Sequence, residues 1–303
     1  MLEDPTPQAP TQRDTTVLLV SFNSAHLLDE RLREYAEHPT IVVDNASSDG
    51  TRALLASKYP HVRCIESEVN SGYGRAANRG FEEIDSRFAL LVNPDAKLKA
   101  DAFAQFEQEA RALGEGWLFI APNTGIPPES PERETGSLER ITAASGAALL
   151  FDVRAFRRLG GFDPNIFLFF EETDLCRRAM NEGIAMYFAR EIIVDHELGT
   201  STHRSLAREY MRKWHYNWSS LYFSRKHRLW ARFARTLWKN LVVAGFKLRR
   251  LEAVPPRDRD DLRYALCHAR HHSARAFVRG APAFLPSGEP FRDPIVDVFE
   301  GRS

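Results

Sequence analysis

The sequence predicts an α/β fold: a mostly parallel sheet with helices on both faces, followed by a C-terminal helical region. Three observations carry this. Short apolar runs alternate with helical patterns of 10–15 residues from Val17 to Ala121. Several of those runs end abruptly on an acidic residue or a histidine. Beyond residue 204 the apolar spacing turns helical throughout. A chain of 303 residues is long enough for two units, or for one large unit with a helical appendage. The expected division is a disordered leader over 1–15, an α/β unit over 16–203, a basic helical region over 204–280 and a tail over 281–303.

The elements follow in order. Val17–Phe22 reads as a strand and Ala25–Glu37 as a helix. Thr40–Asp44 is a short buried strand, and Ser47-Ser48-Asp49-Gly50 introduces a helix ending at Lys58. Val62–Glu66 is a third strand, followed by a glycine-bearing turn and a helix reaching Ile84. Phe88–Val92 is a fourth, closed by Asn93-Pro94-Asp95, and Trp117–Ala121 a fifth. The stretch from 122 to 138, rich in Pro, Glu and Gly, reads as a loop able to act as a flap or as a plain surface insertion. Gly146–Phe151 is a buried strand. The apolar run Ile166–Phe170 leads into a helix opened by Glu171, and residues 184–195 supply one or two strands. Three helices follow over 204–226, 228–250 and 260–279.

The balance of 41 basic and 41 acidic side chains conceals an asymmetry. Residues 1–203 hold 20 basic and 32 acidic groups, a net of −12, whereas residues 204–280 hold 19 and 5, a net of +14. An anionic partner is therefore expected for the helical region alone. Cys64, Cys176 and Cys267 are odd in number and widely spaced, which argues against a disulfide framework or a zinc-ligand repeat. The first residues lack a signal-peptide core, and no apolar run approaches the ~18–20 residues that span a bilayer. The expectation is a cytoplasmic protein, at most peripheral on the inner face of the membrane.

The chemistry is expected where the strands end. Asp44 follows Ile41-Val42-Val43; Asp95 follows Leu90-Leu91-Val92 and two turn residues. Glu171, Glu172 and Asp174 follow an apolar-aromatic run, and His196 follows Ile192-Ile193-Val194-Asp195. One such residue can simply cap a helix. Four sites at the strand ends of one sheet point instead to a site for a divalent cation and a polar ligand. No GxGxxG and no GxxxxGK[ST] occurs, so a dinucleotide or P-loop cradle is unsupported. Asn70-Ser71-Gly72-Tyr73-Gly74 offers small residues for close backbone approach, with Arg75 and Arg79 beyond. Few carboxylates and a bound diphosphate suit Mg²⁺ or Mn²⁺.

Seven segments, in order, resemble family 2 (GT-A fold) inverting glycosyltransferases of the bacterial rhamnosyltransferase-like branch. They are Val20-Ser21-Phe22-Asn23, VVDNASSDGT (42–51), NSGYGRAANRG (70–80), LLVNPDAKL (90–98), SGAALLF (145–151), LGGFDPNIFLFFEETDLCRRAMNEG (159–183) and VDHELGTST (194–202). The resemblance implies a Rossmann-like nucleotide-binding fold and a nucleotide-sugar donor, dTDP-L-rhamnose first and UDP-sugars next. It implies that Asp44 receives the N3–H of the base, with Ser21 and Asn23 lining the nucleoside pocket. Gly72 belongs to the donor loop, and Arg75 and Asn78 stand where relatives contact the nucleotide-sugar. Asn93-Pro94-Asp95 stands where many relatives have Asp-x-Asp. The neutral Asn93 leaves Asp95 as the metal ligand, with His196 completing the set. Glu172 occupies the base position, Glu171 precedes it, and Asp174 shares the helix turn. The nearest rival enzyme, a nucleotidyltransferase, would carry a Gly-rich Lys/Arg loop that Val20-Ser21-Phe22-Asn23-Ser24 lacks. A non-catalytic glycan-binding module is the remaining alternative.

The region 204–280 interleaves Arg and Lys with Trp214, Trp218, Trp230, Phe233, Trp238 and Phe246. Such helices either lie on anionic lipid or pack their apolar faces onto the protein. A membrane contact would make a polyprenyl-diphosphate-linked saccharide or cell-surface glycan the acceptor, and a homodimer is the other use of such a face. Nucleic acid is not expected, because no RNP, KH or zinc-finger signature accompanies the charge.

Overall fold

The computed structural model describes residues 14–99, 101–129, 132–133, 137–196, 205–255, 260–285, 287–293 and 296–300. The leader expected over 1–15 falls outside them except for its last two residues, and Thr15 already belongs to the first strand. The α/β unit runs β1 (Thr15–Ser21), α1 (Ala25–Glu34), β2 (Thr40–Asp44), α2 (Thr51–Lys58), β3 (Arg63–Glu66), α3 (Tyr73–Glu82) and β4 (Phe88–Val92). It continues through β5 (Ala96–Leu98), α4 (Ala102–Leu113), β6 (Trp117–Asn123), β7 (Glu132–Arg133), β8 (Leu138–Arg140), β9 (Ala148–Asp152), α5 (Val153–Arg158), α6 (Glu171–Asn181) and β10 (Ala185–His196).

The sheet order is β3-β2-β1-β4-β9-β6-β10-β8-β7. β3, β2, β1 and β4 are mutually parallel, β6 is parallel to β10, and β9 is inserted antiparallel between β4 and β6. The expected parallel sheet is thus present with one reversed strand at its centre. Successive β1 side chains serve opposite faces: Leu18 and Val20 join one core layer, Val17 and Leu19 the other. Burial on both faces explains why this strand reads as an unbroken apolar run. On α3, Gly80 lets the helix approach the sheet so closely that a Cβ there would overlap Leu18.

Two expectations are amended. The 122–138 loop contributes the edge strands β7 and β8, and β8 pairs antiparallel with β10. The three-residue β5, too short to show a periodicity, was not foreseen; it pairs antiparallel with the end of β10, Ala96 opposite His196.

The helical region comprises α7 (Leu206–Lys226), α8 (Trp230–Trp238), a π-helical turn over Lys239–Val243, α9 (Ala244–Glu252), α10 (Asp261–Val278) and α11 (Val296–Glu300). Its aromatic residues divide into two sets. Tyr210, Trp214 and Trp218 of α7 are buried with Ala265, Ala269 and Phe277 of α10 in a third core. Trp230, Trp238 and Phe246 on α8 and α9 stand in solvent at 58%, 57% and 60% exposure. No helix among the described residues is long and apolar enough to cross a membrane.

Candidate active site

The parallel strands β1 to β4 end on one edge of the sheet, and the strand order changes direction between β1 and β4. Open α/β sheets bind ligands beyond such an edge. On the β2 side, Asp44 lies opposite Ser21 of β1 and is fully buried. Its Oδ2 accepts from Arg52 Nε at 2.6 Å, and its Oδ1 from the Ser47 amide at 3.2 Å. Arg52 also reaches the Ser67 carbonyl, so β2, α2 and the β3 exit are tied together. Ser21 shares a hydroxyl–hydroxyl hydrogen bond with Ser24. Asn23, at φ +54°, uses its Oδ1 to accept the Ser48 amide. These groups enclose the Asp44 carboxylate, both of whose oxygens are hydrogen-bonded.

Asn45, next to Asp44, was missed by sequence reasoning. Its Nδ2 donates to Asn70 Oδ1 and to the Gly72 carbonyl, and its Oδ1 accepts the Ser71 amide. One amide thereby anchors the small-residue loop. Gly72 sits at φ +83°, and a Cβ there would overlap the Phe167 carbonyl, so glycine is required at this crossing.

On the β4 side, the Asn93 amide donates to the Ala147 carbonyl and the Asn93 carbonyl accepts the Ala96 amide, which closes the turn carrying Asp95. The β5–β10 pairing then brings Asp95 to His196: Oδ1 lies 3.4 Å from Nε2, with both side chains nearly buried. His196 Nδ1 is buried without a hydrogen-bond partner among the described residues. A carboxylate and an imidazole nitrogen at this separation fit a divalent cation as shared ligands.

The third contribution comes from α6. Phe169 and Phe170 enter it with φ of +67° and +74°, sparsely populated values for aromatic residues. That bend turns Glu171 and Glu172 into the interior. Glu172 lies against Gly146, where any Cβ would overlap its carboxylate. Burial raises the pKa of Glu172; burial and the neighbouring Glu172 charge raise that of Glu171 well above the ordinary carboxylate range. Glu171 Oε1 has no hydrogen-bond partner among the described residues. Tyr73, a second residue that sequence reasoning passed over, is half-buried, with its hydroxyl buried and likewise unpartnered among the described residues. Burial first, and then the charges of Glu172, Glu171 and Asp95, push its phenol well above the usual range. Asp95, Glu171 and Glu172 thus all lie within electrostatic range of the Tyr73 phenol.

Three expected residues sit elsewhere. Asp174 is fully buried and meets Arg178 Nε at 2.8 Å, Lys226 Nζ at 2.7 Å and His227 Nε2 at 2.8 Å; it ties α6 to α7. Arg75 donates to the Pro164 carbonyl and lies over the Phe284 ring at 3.6 Å, lining a cavity of about 460 Å³ with Trp218, Tyr222 and Arg225. Asn78 clamps Phe162 by both backbone groups, accepting from its amide and donating to its carbonyl. Arg75 and Asn78 are one turn apart on α3, and both face the 162–165 turn. The end of the motif 194–202 lies outside the described residues.

Residues 16–118 match the model of the family described as Glycosyl transferase family 2. The chain is 25% identical over 211 residues to the N-acetylglucosaminyl-diphospho-decaprenol L-rhamnosyltransferase of Mycobacterium tuberculosis, covering 55% of this chain and 69% of that protein. It is 24% identical over 200 residues to the low-salt glycan biosynthesis hexosyltransferase Agl10 of Haloferax volcanii, covering 56% and 63%. Among solved structures, the mannosyltransferase PcManGT of Pyrobaculum calidifontis, in complex with GDP-Man and Mn²⁺, superposes with a TM-score of 0.51 at 18% identity. That superposition covers 88% of this chain and 74% of the other. S. aureus TarS 1–349 gives a TM-score of 0.51 at 17% identity, covering 88% and 92%. Sequence match and fold agree on a glycosyltransferase with a GT-A-like α/β fold, whose residues 16–118 match the family 2 model.

Proposed function

We propose that the enzyme is an inverting, divalent-cation-dependent transferase that moves L-rhamnose from dTDP-L-rhamnose onto a polyprenyl-diphosphate-linked saccharide of a growing cell-surface glycan. The observation that carries this reading is the Asp95–His196 pair, 3.4 Å apart at the sheet edge, with the carboxylates of Glu171 and Glu172 close enough for all three acidic groups to act on the Tyr73 phenol. The similarity to an L-rhamnosyltransferase whose name specifies a diphospho-decaprenol acceptor supports the donor and acceptor chosen.

Each group has a role that its surroundings suit. Asp44, held by Arg52, would accept the N3–H of the base, with Ser21 and Asn23 beside it. The Gly72 loop, held by Asn45, lets the backbone approach the diphosphate. Asp95 and His196 would hold Mg²⁺ or Mn²⁺, which supplies positive charge to the departing diphosphate. Glu172 takes the acceptor hydroxyl's proton as that oxygen bonds to the anomeric carbon and nucleoside diphosphate leaves. Its raised pKa makes it a stronger base than an exposed carboxylate. One displacement inverts the anomeric configuration. Arg75 and Asn78 act at a remove from the donor, by fixing the 162–165 turn.

The exposed Trp230, Trp238, Val242 and Phe246, flanked by Arg232, Arg235, Lys239, Lys247, Arg249 and Arg250, would rest on an anionic membrane surface where a lipid-linked acceptor resides. Replacing Trp238 and Phe246 by Ser should lower affinity for phosphatidylglycerol vesicles about 10-fold or more, in proportion to the apolar area lost. Unchanged co-sedimentation would remove the membrane role.

The deciding assay supplies dTDP-L-rhamnose, Mn²⁺ and a polyprenyl-diphosphate-linked N-acetylglucosamine to the purified chain. Release of dTDP with a rhamnosylated product of inverted configuration is expected. Turnover only with another nucleotide-sugar would reassign the donor, and a retained configuration would overturn the single displacement.

A further inference from the structure

A second polar cluster lies in the helical region, away from the strand ends. His268 and His272 stand four residues apart on α10, so their imidazoles leave the helix on one face. The two rings stack with centroids 3.7 Å apart. Asp293 reaches them from a different part of the chain, just after the turn in which the Phe291 amide donates to the Ala283 carbonyl. Asp293 Oδ2 lies 3.3 Å from His272 Nδ1. One ligand atom from each of the three side chains falls within 4.8 Å of the others. From α7, the buried Tyr210 hydroxyl donates to Asp293 Oδ2 at 2.8 Å and lies 3.1 Å from His268 Nδ1.

We propose that His268, His272 and Asp293 form a structural site for Zn²⁺, which staples the segment before α11 to α10. Two imidazoles at i and i+4 on one helix face are a chelating pair, and a carboxylate from a distant segment closes the set. Zinc bonded at ~2.0–2.1 Å holds tetrahedral ligands ~3.3 Å apart, the spacing that His272 and Asp293 already have. Two imidazole donors favour zinc over Mg²⁺, whereas the Asp95–His196 pair offers only one. Tyr210 supplies the outer hydrogen bond that orients liganding side chains at metal sites. His268 and Asp293 are buried while His272 is half-buried, so one side stays open for entry of the ion and a fourth, water ligand. The staple has a consequence for the rest of the molecule. The segment it secures carries Phe284, which lies under Arg75 and 5.6 Å from Phe167, so the metal would fix one wall of the 460 Å³ cavity.

The test uses the full chain without an affinity tag, stripped with EDTA, equilibrated with Zn²⁺ alone and passed through gel filtration. Elemental analysis should find one Zn²⁺ per chain, and the zinc-loaded protein should melt at a higher temperature than the stripped one. Asp293→Asn, which keeps the shape of the side chain, and His272→Gln, at a half-buried position, should each weaken zinc binding at least ~100-fold, more than loss of an outer-shell partner does. Asp95→Ala should retain the zinc. The proposal is overturned if the wild-type chain holds no stoichiometric zinc, which would leave a Tyr210–Asp293–His268 hydrogen-bond network in its place. Zinc that survives both substitutions, or that departs with Asp95→Ala, overturns it equally.

Discussion

Two clusters of buried carboxylates border α6, and they are built on opposite principles. At the junction with α7, every carboxylate meets cations. Asp174 has Arg178, Lys226 and His227, while Asp163 has Lys226 at 2.6 Å and the Tyr222 hydroxyl at 3.0 Å. Towards the sheet edge, beginning one turn earlier on α6, Glu171 Oε1, the Tyr73 hydroxyl of α3 and His196 Nδ1 of β10 are buried with no hydrogen-bond partner among the described residues. Leaving such groups unmade costs ~1–3 kcal/mol each, and more where charge is involved. A folded chain that compensates Asp174 fully and, one turn earlier on the same helix, leaves Glu171 Oε1 without a partner among the described residues has reserved that side for a ligand. The satisfied cluster fastens two parts of the molecule; the unsatisfied one is where chemistry can occur.

Substitutions can break this contrast, and the largest effect belongs to the strand ends. Glu172→Gln should lower transfer ~10²–10⁴-fold, the usual contribution of a positioned base, while nucleotide-sugar affinity changes little. Weakened donor binding with normal turnover would place Glu172 in recognition instead. Next comes the junction: Asp174→Ala leaves Arg178, Lys226 and His227 facing a void and should cost ~3–5 kcal/mol in urea unfolding, with donor affinity retained in the folded fraction. A smaller effect of opposite sign is expected at Glu171. Its folded pKa lies above the unfolded value, so its favourable contribution is full below the unfolded pKa and is lost as pH rises through the folded one. At pH 8 Glu171→Gln should therefore raise stability by ~1–2 kcal/mol, and at pH 4 the gain should vanish. A loss of stability at pH 8 would show that Glu171 has a partner in solution. Finally, the acid limb of the rate profile should follow Glu172, with turnover rising through a pKa above that of an exposed glutamate. The Gln variant should lack that limb.

Much of this was legible in the residues, for physical reasons that also mark where legibility ends. Apolar runs of strand length separated by amphipathic helices announce a two-sided sheet, because both faces must be covered. Asp44, Asp95 and His196 could be singled out because an ionisable group at the end of a buried strand, or in the turn that closes it, stands at the sheet edge. Ile166–Phe170, read as an apolar run of the same kind, forms no strand, and Glu172 was marked by the resemblance alone. The convergence of Asp95 with His196 was not legible: it depends on β5, whose three residues carry no detectable period. Tyr73 was hidden inside a loop that reads as glycine-rich, although its bulk between Gly72 and Gly74 was the available signal. Arg75 and Asn78 resemble ligand contacts in sequence, yet the face of α3 they occupy is set by packing against the 162–165 turn. The aromatics of the helical region show the same limit. Trp214 and Trp238 sit in similar surroundings along the chain, and only the docking of α7 against α10 separates a core residue from an exposed one.

The central claim is that the strand-end carboxylates and His196 surround one metal-bound nucleotide. Anomalous diffraction from crystals grown with Mn²⁺ and dTDP tests it without reference to the acceptor. The account predicts one manganese peak within coordination distance (~2.2 Å) of both Asp95 and His196, with the base of the nucleotide against Asp44 and Glu172 left free of the metal. Manganese or nucleotide bound away from Asp95 would contradict it.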